Sequence, residues 1–171
     1  MTDAFDDLDN ETLRGLLADF SKNWLAHDGV WFQAVEKAHG MEAAMAADAE
    51  AWKRFAAIEA RRIRKRYSIA DGGGLDALAF CLSRRMYAVL NRTRFERVDE
   101  RTLRFAMVDC RVQDARNRKG MEPFPCKAVG EVEFASFATA VDERIAVSCI
   151  TCPPDEHHEG TWCAWEFTVG D

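Results

Sequence analysis

The residues best suited to chemistry are cysteines, and three of them fall within the short segment 149–163, CITCPPDEHHEGTWC. Cys149 and Cys152 form a C-x-x-C pair, and Cys163 follows after a loop that contains His157 and His158. Thiolates and imidazoles are the preferred protein ligands of zinc, and thiolates hold iron–sulfur clusters. The segment therefore predicts a metal or cluster site.

Two further cysteines are candidates for the same site because each lies near the end of a predicted element. Cys110 follows a predicted strand, and Cys126 lies in the first turn of a predicted helix, where amide dipoles lower the pKa of a thiol. We expect the ends of the strands to meet at one edge of the sheet. The predicted ligands of zinc or iron are Cys110, Cys126, Cys149, Cys152, His157 and Cys163. A reactive thiol pair and a set of inert buried cysteines remain as alternatives, and Cys81 is interpreted as core.

A second candidate site combines a histidine with carboxylates in the stretch NWLAHDGVWFQAVEK, residues 23–37. His27 and Asp28 adjoin at a predicted helix break, and Glu36 follows on the next helical piece. A histidine beside carboxylates can act as a general base, so these three residues are the predicted catalytic groups. The alternative is a structural histidine beside an N-cap.

A basic segment, CRVQDARNRKG, offers a substrate-binding group. If it is helical, Arg111 and Arg118 lie on one face and form a fork for a carboxylate, which predicts a small anionic ligand. The alternative is a solvated surface segment paired with acidic loops.

The elements that must position these residues follow from the spacing of apolar side chains. Residues 1–9 are predicted to be an acidic tail, and residues 10–171 a single α+β domain. Helices are predicted over about 10–25, 28–39, 41–67, 75–90 and 126–140, with Asn10 and Asp28 as N-caps and Pro125 at a first helical position. Strands are predicted over 93–98, 102–109, 144–150 and 161–169. The order β-β-α-β-β after a run of helices predicts a four-stranded antiparallel sheet with helices on one side.

Size and charge limit the classes of function. The chain has 171 residues and a net charge of −6, and 48% of its residues are hydrophobic. These values indicate a globular protein with no general affinity for nucleic acid or an anionic membrane. An acidic start without an apolar run predicts a cytoplasmic protein, in which free thiols are kept reduced.

Four strings together resemble a known family: NWLAHDGVWFQAVEKAHGMEAA, CRVQDARNRKG, FPCKAVGEVEFASFA and CITCPPDEHHEGTWCAWEF. They are similar to prokaryotic cytosolic proteins of unknown function that are grouped with L-2-amino-thiazoline-4-carboxylic acid hydrolase. The likeness covers about residues 10–168, and it implies hydrolytic opening of a small cyclic amidine-like acid. The chain departs from the family in having His157-His158 where a His-Pro pair is expected, which favours His157 as the ligand.

The order of elements is also similar to vinyl-reductase-type ligand-binding domains. That similarity implies an apolar pocket between helices and sheet, and a homodimer formed through helices. The sequence thus predicts a cytosolic protein that binds a metal and a small anionic or apolar ligand. The further expectation is that it hydrolyses a C–N or C–S bond of a small anionic substrate. The alternative is a sensor or carrier without catalysis that holds a structural zinc or an iron–sulfur cluster.

Overall fold

The structure, a computed structural model, describes residues 5–156 and 160–170. Its elements follow in the order α1 (Asn10–His39), α2 (Met41–Tyr67), α3 (Gly74–Leu82), a 3-10 turn (Met86–Val89), β1 (Thr93–Asp99), β2 (Thr102–Met107), α4 (Arg111–Arg118), α5 (Lys127–Val141), β3 (Ile145–Thr151) and β4 (Cys163–Val169). Within the described residues, none of the helices combines the length and hydropathy needed to span a bilayer.

The sheet has four antiparallel strands in the order β1-β2-β4-β3. Its inner face presents Leu103, Phe105, Trp165 and Phe167, all of which are buried. Alternate positions on the other face, such as Arg104 with its ion-pair partner on β4, face solvent. This period of two is the pattern of a sheet covered on one side, and the predicted α+β class is confirmed.

Helix α5 is the centre of the core because it packs between α2 and the sheet. Phe137 and Ala138 are completely buried, and Val141 is nearly so. Phe134 reaches down to the indole of Trp165, with 4.7 Å between the ring centroids. The helix thus joins the outer helices to the inner face of the sheet.

The predicted break at Asp28-Gly29 is wrong, because α1 runs without interruption from Asn10 to His39. An interior glycine costs only about 1 kcal/mol relative to alanine, and α1, which packs on α2, includes both Gly15 and Gly29 without a break. Asp28 is therefore an interior residue and not an N-cap. The cap of α1 is Asp9, whose Oδ1 accepts a hydrogen bond of 2.8 Å from the Thr12 amide, and not Asn10.

The predicted helix over 75–90 is also wrong in its second half, since α3 ends at Leu82. Arg85 adopts an extended conformation before a short 3-10 turn. Its side chain is buried against carboxylates from α2 and α5, and this tertiary contact draws the chain out of the helix. The spacing of apolar side chains within residues 75–90 cannot predict a contact with residues so distant in the sequence.

The region around α4 and α5 differs in detail from the sequence prediction. Residues Arg111–Arg118 form a helix, which is the condition under which Arg111 and Arg118 were predicted to lie on one face. Pro125 is not a first helical position, because Cys126 is the N-cap of α5. Cys126 therefore lies just outside the first turn.

Candidate ligand cavity

A cavity of about 450 Å³ lies between the helices and the inner face of the sheet. Its lining comes from α1, α2, α4, α5, the 3-10 turn, β2 and β4. Most of the lining is apolar, with aromatic rings on several sides. The polar and aromatic members of the lining include Asp28, Asp48, Trp52, Arg85, Tyr87, Phe105, Cys110, Arg111, Gln113, Arg118, Cys126, Glu133, Phe134, Cys152, Cys163 and Trp165.

The floor of the cavity is the indole of Trp165 on β4, which is fully buried. Gly130 of α5 lies directly beside this ring. A Cβ atom at residue 130 would be 2.7 Å from Cζ2 and 2.9 Å from Cη2 of Trp165, closer than real Cβ contacts. Gly130 is thus required by the close approach of the helix to the ring.

One guanidinium is buried beside the cavity between two carboxylates. The Arg85 side chain is only 4% exposed; its Nε lies 2.8 Å from Oε2 of Glu59, and its Nη1 lies 2.6 Å from Oε1 of Glu133. Burial disfavours the charge on Arg85, but the carboxylates of Glu133 and Glu59 outweigh it and raise the pKa of the guanidinium. Glu59 also accepts a hydrogen bond of 2.9 Å from the amide of Met86, which holds the 3-10 turn in place.

Two further carboxyl groups line the cavity from the outer helices. Burial, followed by repulsion from Asp28 and Glu133, raises the pKa of Asp48 to about 7. Burial likewise raises the pKa of Asp28 and of Glu133. These carboxyl groups share a low-dielectric space with one guanidinium, so the inner wall has more acidic than basic groups, and burial favours the protonated form of the acids.

Aromatic rings from α1, α2 and the 3-10 turn form one side of the site. Trp52 stacks on Tyr87 with 5.6 Å between centroids, and Trp24 packs edge-on against both rings. The Arg85 guanidinium lies 5.4 Å from the centroid of Tyr87. Burial and the charge of Glu133 raise the pKa of the Tyr87 phenol well above its usual value, so this hydroxyl stays neutral.

Two buried donors beside the cavity have no hydrogen-bond partner. Among the described residues, the buried side-chain nitrogens and oxygens without one are Arg64 Nε, Arg85 Nη2 and Trp165 Nε1. Arg85 and Trp165 both line the cavity. Unpaired buried donors are rare in folded proteins, so these two are candidates to bind a ligand.

Four of the six cysteines line the same cavity: Cys110, Cys126, Cys152 and Cys163. Cys126 and Cys152 are closest, with 3.5 Å between their sulfur atoms, and Cys163 also hydrogen-bonds to Cys152. Cys149 does not line the cavity. A register shift between Cys149 and Thr151 on β3 breaks the alternation of that strand, and Cys152 is buried at its end.

The cysteine thiols differ in acidity. The hydrogen bond from Cys152, with a further one from Gln113, lowers the pKa of Cys126. The pKa of Cys152 is raised by its hydrogen bonds to Cys126 and Cys163. Burial raises the pKa of Cys110 to about 12 and that of Cys149 to about 11. The low pKa predicted for Cys126 from its helix position thus arises mainly from a neighbouring thiol.

No set of three or more His, Cys, Asp or Glu side chains within residues 5–156 and 160–170 has an arrangement ready to hold a metal ion. His157 lies outside the described residues. Two thiolates bound to one zinc ion at about 2.3 Å in tetrahedral geometry lie about 3.8 Å apart, which is close to the Cys126–Cys152 separation of 3.5 Å. The pair therefore fits a shared ion, and the remaining ligands stay a prediction.

Gln113 of α4 fixes the segment that leads to Cys126. Its buried amide donates to the carbonyl of Phe124 at 2.9 Å and accepts from the amide of Phe124 at 2.9 Å. The same nitrogen lies 3.6 Å from the sulfur of Cys126. Arg111 and Arg118 lie on this helix, line the cavity and are exposed at its mouth.

The predicted catalytic residues are not brought together at the cavity. Asp28 lines it, whereas His27 is exposed and Glu36 is half-buried, and neither of these two is a lining residue. Sequence reasoning missed Arg85, Asp48, Glu133 and Trp165. The one available signal was Glu133, a carboxylate inside the apolar run of α5.

The fold and its cavity define an α+β protein with a space for a small molecule between helices and sheet. The sequence model of a family described as a family of unknown function, DUF6125, matches residues 6–169, and the chain belongs to that family. None of the curated proteins matches the chain.

The fold is similar to that of a crystallised sensory domain, the phenol-responsive domain of the transcription activator PoxR with phenol. The TM-score is 0.56 at 16% sequence identity, and the alignment covers 90% of this chain and 74% of the other. The likeness shows a shared fold.

Proposed function

We propose that the protein binds a small, largely apolar molecule in the cavity between its helices and sheet. The observation that supports this most directly is the cavity itself, whose volume of about 450 Å³ is within the range of small-molecule sites. Aromatic walls and a few convergent polar groups are also typical of such sites. The PoxR sensory domain, which has a similar fold and was crystallised with phenol, offers an analogy for such a ligand that rests on the fold alone.

Binding is favoured over catalysis because the cavity lacks an assembled acid–base pair among the predicted catalytic residues. His27 is exposed outside the cavity, and only Asp28 lines it. A hydrolase of a small C–N or C–S substrate, which the family resemblance implies, stays a prediction. The corresponding role without catalysis is that of a sensor or carrier.

The binding proposal can be tested with a neutral aromatic probe, 4-ethylphenol, by calorimetry and chemical-shift changes. Gly29 of α1 lines the cavity, and Gly15 of the same helix does not; a Cβ at either position meets no atom within 4 Å. We expect Gly29→Leu to weaken binding at least tenfold and the matched Gly15→Leu to leave it unchanged. Absence of binding at millimolar probe, or equal effects of both variants, would contradict the proposal.

A second proposal is a metal site formed by the cysteines, and the 3.5 Å separation of Cys126 and Cys152 favours it. Cys163 would be the third ligand, with Cys149, Cys110 or His157 as the fourth. A closed shell of four ligands would make the metal structural, whereas three ligands and a water would make it catalytic. Zinc and an iron–sulfur cluster both fit thiolate ligands.

Metal analysis of anaerobically purified protein, with a visible spectrum, tests this second proposal. We expect about one zinc per chain, or iron with charge-transfer absorption, because thiolates favour these metals. Cys152→Ser and Cys126→Ser should lower the metal content, whereas Cys81→Ser should not, since Cys81 is buried in the core. Metal-free protein whose melting is unaffected by chelator would contradict the site.

The homodimer implied by the resemblance also stays a prediction. Helix α1 has exposed apolar side chains at Leu17, Phe20, Val30 and Trp31. Light scattering of the purified chain measures the oligomeric state directly.

A further inference from the structure

The inner wall of the cavity has more carboxyl groups than cationic partners. Asp28, Asp48 and Glu133 line it from three different helices. Arg85 is already paired with Glu133 and with Glu59. One guanidinium neutralises one carboxylate, so this part of the wall has a net negative charge when its acids ionise.

The basic residues of the lining do not correct this imbalance. Arg111 and Arg118 of α4 are exposed at the mouth, as is Lys119 just after that helix. Lys22 of α1 is also exposed and is paired with Asp19. Arg116 donates its Nε to the carbonyl of Glu122 at 2.6 Å, and its guanidinium lies 5.9 Å from the centroid of Phe124. An anionic group therefore fits the mouth, while the interior disfavours it.

The aromatic wall adds a second feature that suits a cation. Trp52 and Tyr87 stack beside the acidic groups, and Phe134 lies nearby on α5. The faces of aromatic rings attract ammonium groups, most strongly where water is excluded. Arg85 shows this preference within the structure, since its guanidinium lies 4.6 Å from the centroid of Phe137.

Two unpaired donors require an acceptor: one belongs to Trp165 at the floor, and the other to Arg85, which is also paired with Glu133 of the acidic wall. Nε1 of Trp165 and Nη2 of Arg85 are buried without partners, and both residues line the cavity. A hydroxyl or carbonyl oxygen on the ligand would satisfy them. The carboxyl groups of Asp28 and Asp48 thus suit a cation, and the unpaired donors suit a neutral acceptor.

Resting on the proposed function, we propose that the ligand is a protonated aromatic amine whose ammonium lies at Asp28 and Asp48 and whose polar oxygen faces Trp165 and Arg85. Burial, followed by repulsion from Asp28 and Glu133, disfavours the charge on Asp48, and the bound cation offsets both effects. The class is defined by an apolar ring, a basic nitrogen and an acceptor at the other end.

Four probes of nearly equal size separate these features: tyramine, phenethylamine, 4-ethylphenol and 3-(4-hydroxyphenyl)propionate. Affinities are measured by calorimetry at pH 8, above the pKa of about 7 of Asp48. We expect tyramine to bind at least tenfold more tightly than 4-ethylphenol, which lacks the amine. Phenethylamine should bind more weakly than tyramine, and the propionate most weakly of the four.

The variants Asp48→Asn and Asp28→Asn remove one charge each with little change of shape. Each should lower the ratio of tyramine affinity to 4-ethylphenol affinity at least fivefold, and circular dichroism reports that the variant is folded. The matched control is Glu50→Gln, which removes an exposed carboxylate of the same helix as Asp48. It should leave all four affinities unchanged.

Two results would overturn the proposal while leaving small-molecule binding intact. One is wild-type protein that binds 4-ethylphenol as tightly as tyramine, and the other is an unchanged ratio of tyramine affinity to 4-ethylphenol affinity in both Asp variants. If none of the probes binds, 4-ethylphenol included, the proposed function fails together with this inference.

Discussion

The substitution Gly130→Ala tests whether α5 and the floor of the cavity are as closely packed as the structure shows. The new Cβ would lie 2.7 Å and 2.9 Å from two carbons of the Trp165 indole. That ring cannot yield freely, because it is fully buried and packs against Phe134 at 4.7 Å between centroids. Overpacking of this kind costs about 1–3 kcal/mol.

The net effect is smaller than the overpacking alone because alanine favours the helix. Replacing an interior glycine by alanine gains about 1 kcal/mol of helix propensity. We therefore expect Gly130→Ala to lower the free energy of unfolding by about 1 kcal/mol. For a domain of this size that lowers Tm by about 2–4 °C, measured by calorimetry or circular dichroism.

The matched control is Gly15→Ala, since residue 15 lies inside α1 and its Cβ would meet no atom within 4 Å. It should raise Tm, because only the gain in helix propensity operates there. If Gly130→Ala raised Tm as much as Gly15→Ala, the indole would not be held against α5. A displaced indole should also weaken 4-ethylphenol binding, since Trp165 and Gly130 both line the cavity.

Three further predictions concern the polar groups of the site. The pKa of Asp48 is raised to about 7 in the folded protein, so folding favours the protonated carboxyl group. The protonated group contributes to the free energy of unfolding in full below about pH 4, and this contribution is lost as the pH rises through 7. Asp48→Asn should therefore be more stable than wild type at pH 8, by on the order of 1 kcal/mol after screening, with the difference vanishing at pH 4 in urea titrations. Arg85→Met leaves two buried carboxylates unpaired and should lower the free energy of unfolding by about 3–5 kcal/mol. The control is Arg54→Ala, which breaks an exposed ion pair and should change that free energy by no more than about 0.5 kcal/mol. A loss at Arg85 no larger than at Arg54 would contradict the buried network. Gln113→Leu leaves the amide of Phe124 unpaired, while its carbonyl still accepts from the amide of Cys126, and should cost about 1–3 kcal/mol in the same assay; an unchanged midpoint would show that the hydrogen bonds between Gln113 and Phe124 are not formed.

Local patterns predicted most of the fold. The alternation of apolar and polar side chains predicted the four strands. The end of the helix at Gly40 was predicted because the helical spacing of apolar side chains stops at that glycine. Gly40 has φ +88°, a conformation that favours glycine. Such features depend on neighbours in the chain, so the sequence reports them directly.

The errors share a different cause, which is contact over long distances in the sequence. The chain leaves α3 before Arg85 because that side chain reaches Glu59, 26 residues earlier, and Glu133 on α5. Asp28 was placed at a helix break because Asp-Gly is a common turn signal. The continuous helix there is stabilised by packing of α1 on α2, which the local pattern does not contain.

The candidate site was predicted only in part for the same reason. Placing cysteines at the ends of elements grouped Cys110, Cys126, Cys149 and Cys152, with Cys163 as a further ligand, and all of these except Cys149 line the cavity. Charged residues on helices are usually solvated, so nothing local distinguished Asp48 from the exposed Glu50 two residues later. The difference in their burial becomes visible only in the folded structure, where Asp48 lines the cavity and Glu50 is exposed.

The composition of the cavity wall is difficult to explain by stability alone. Buried ion pairs are often no more stabilising than apolar residues of the same volume, and a carboxyl group whose pKa is raised by burial opposes folding at neutral pH. Here Asp48 and Glu133 both have raised pKa values, and two buried donors lack partners. An apolar wall would remove each of these penalties and would still cover the sheet. A ligand with a cation and an acceptor relieves all of them at once, so the polar groups are best understood as parts of a binding site.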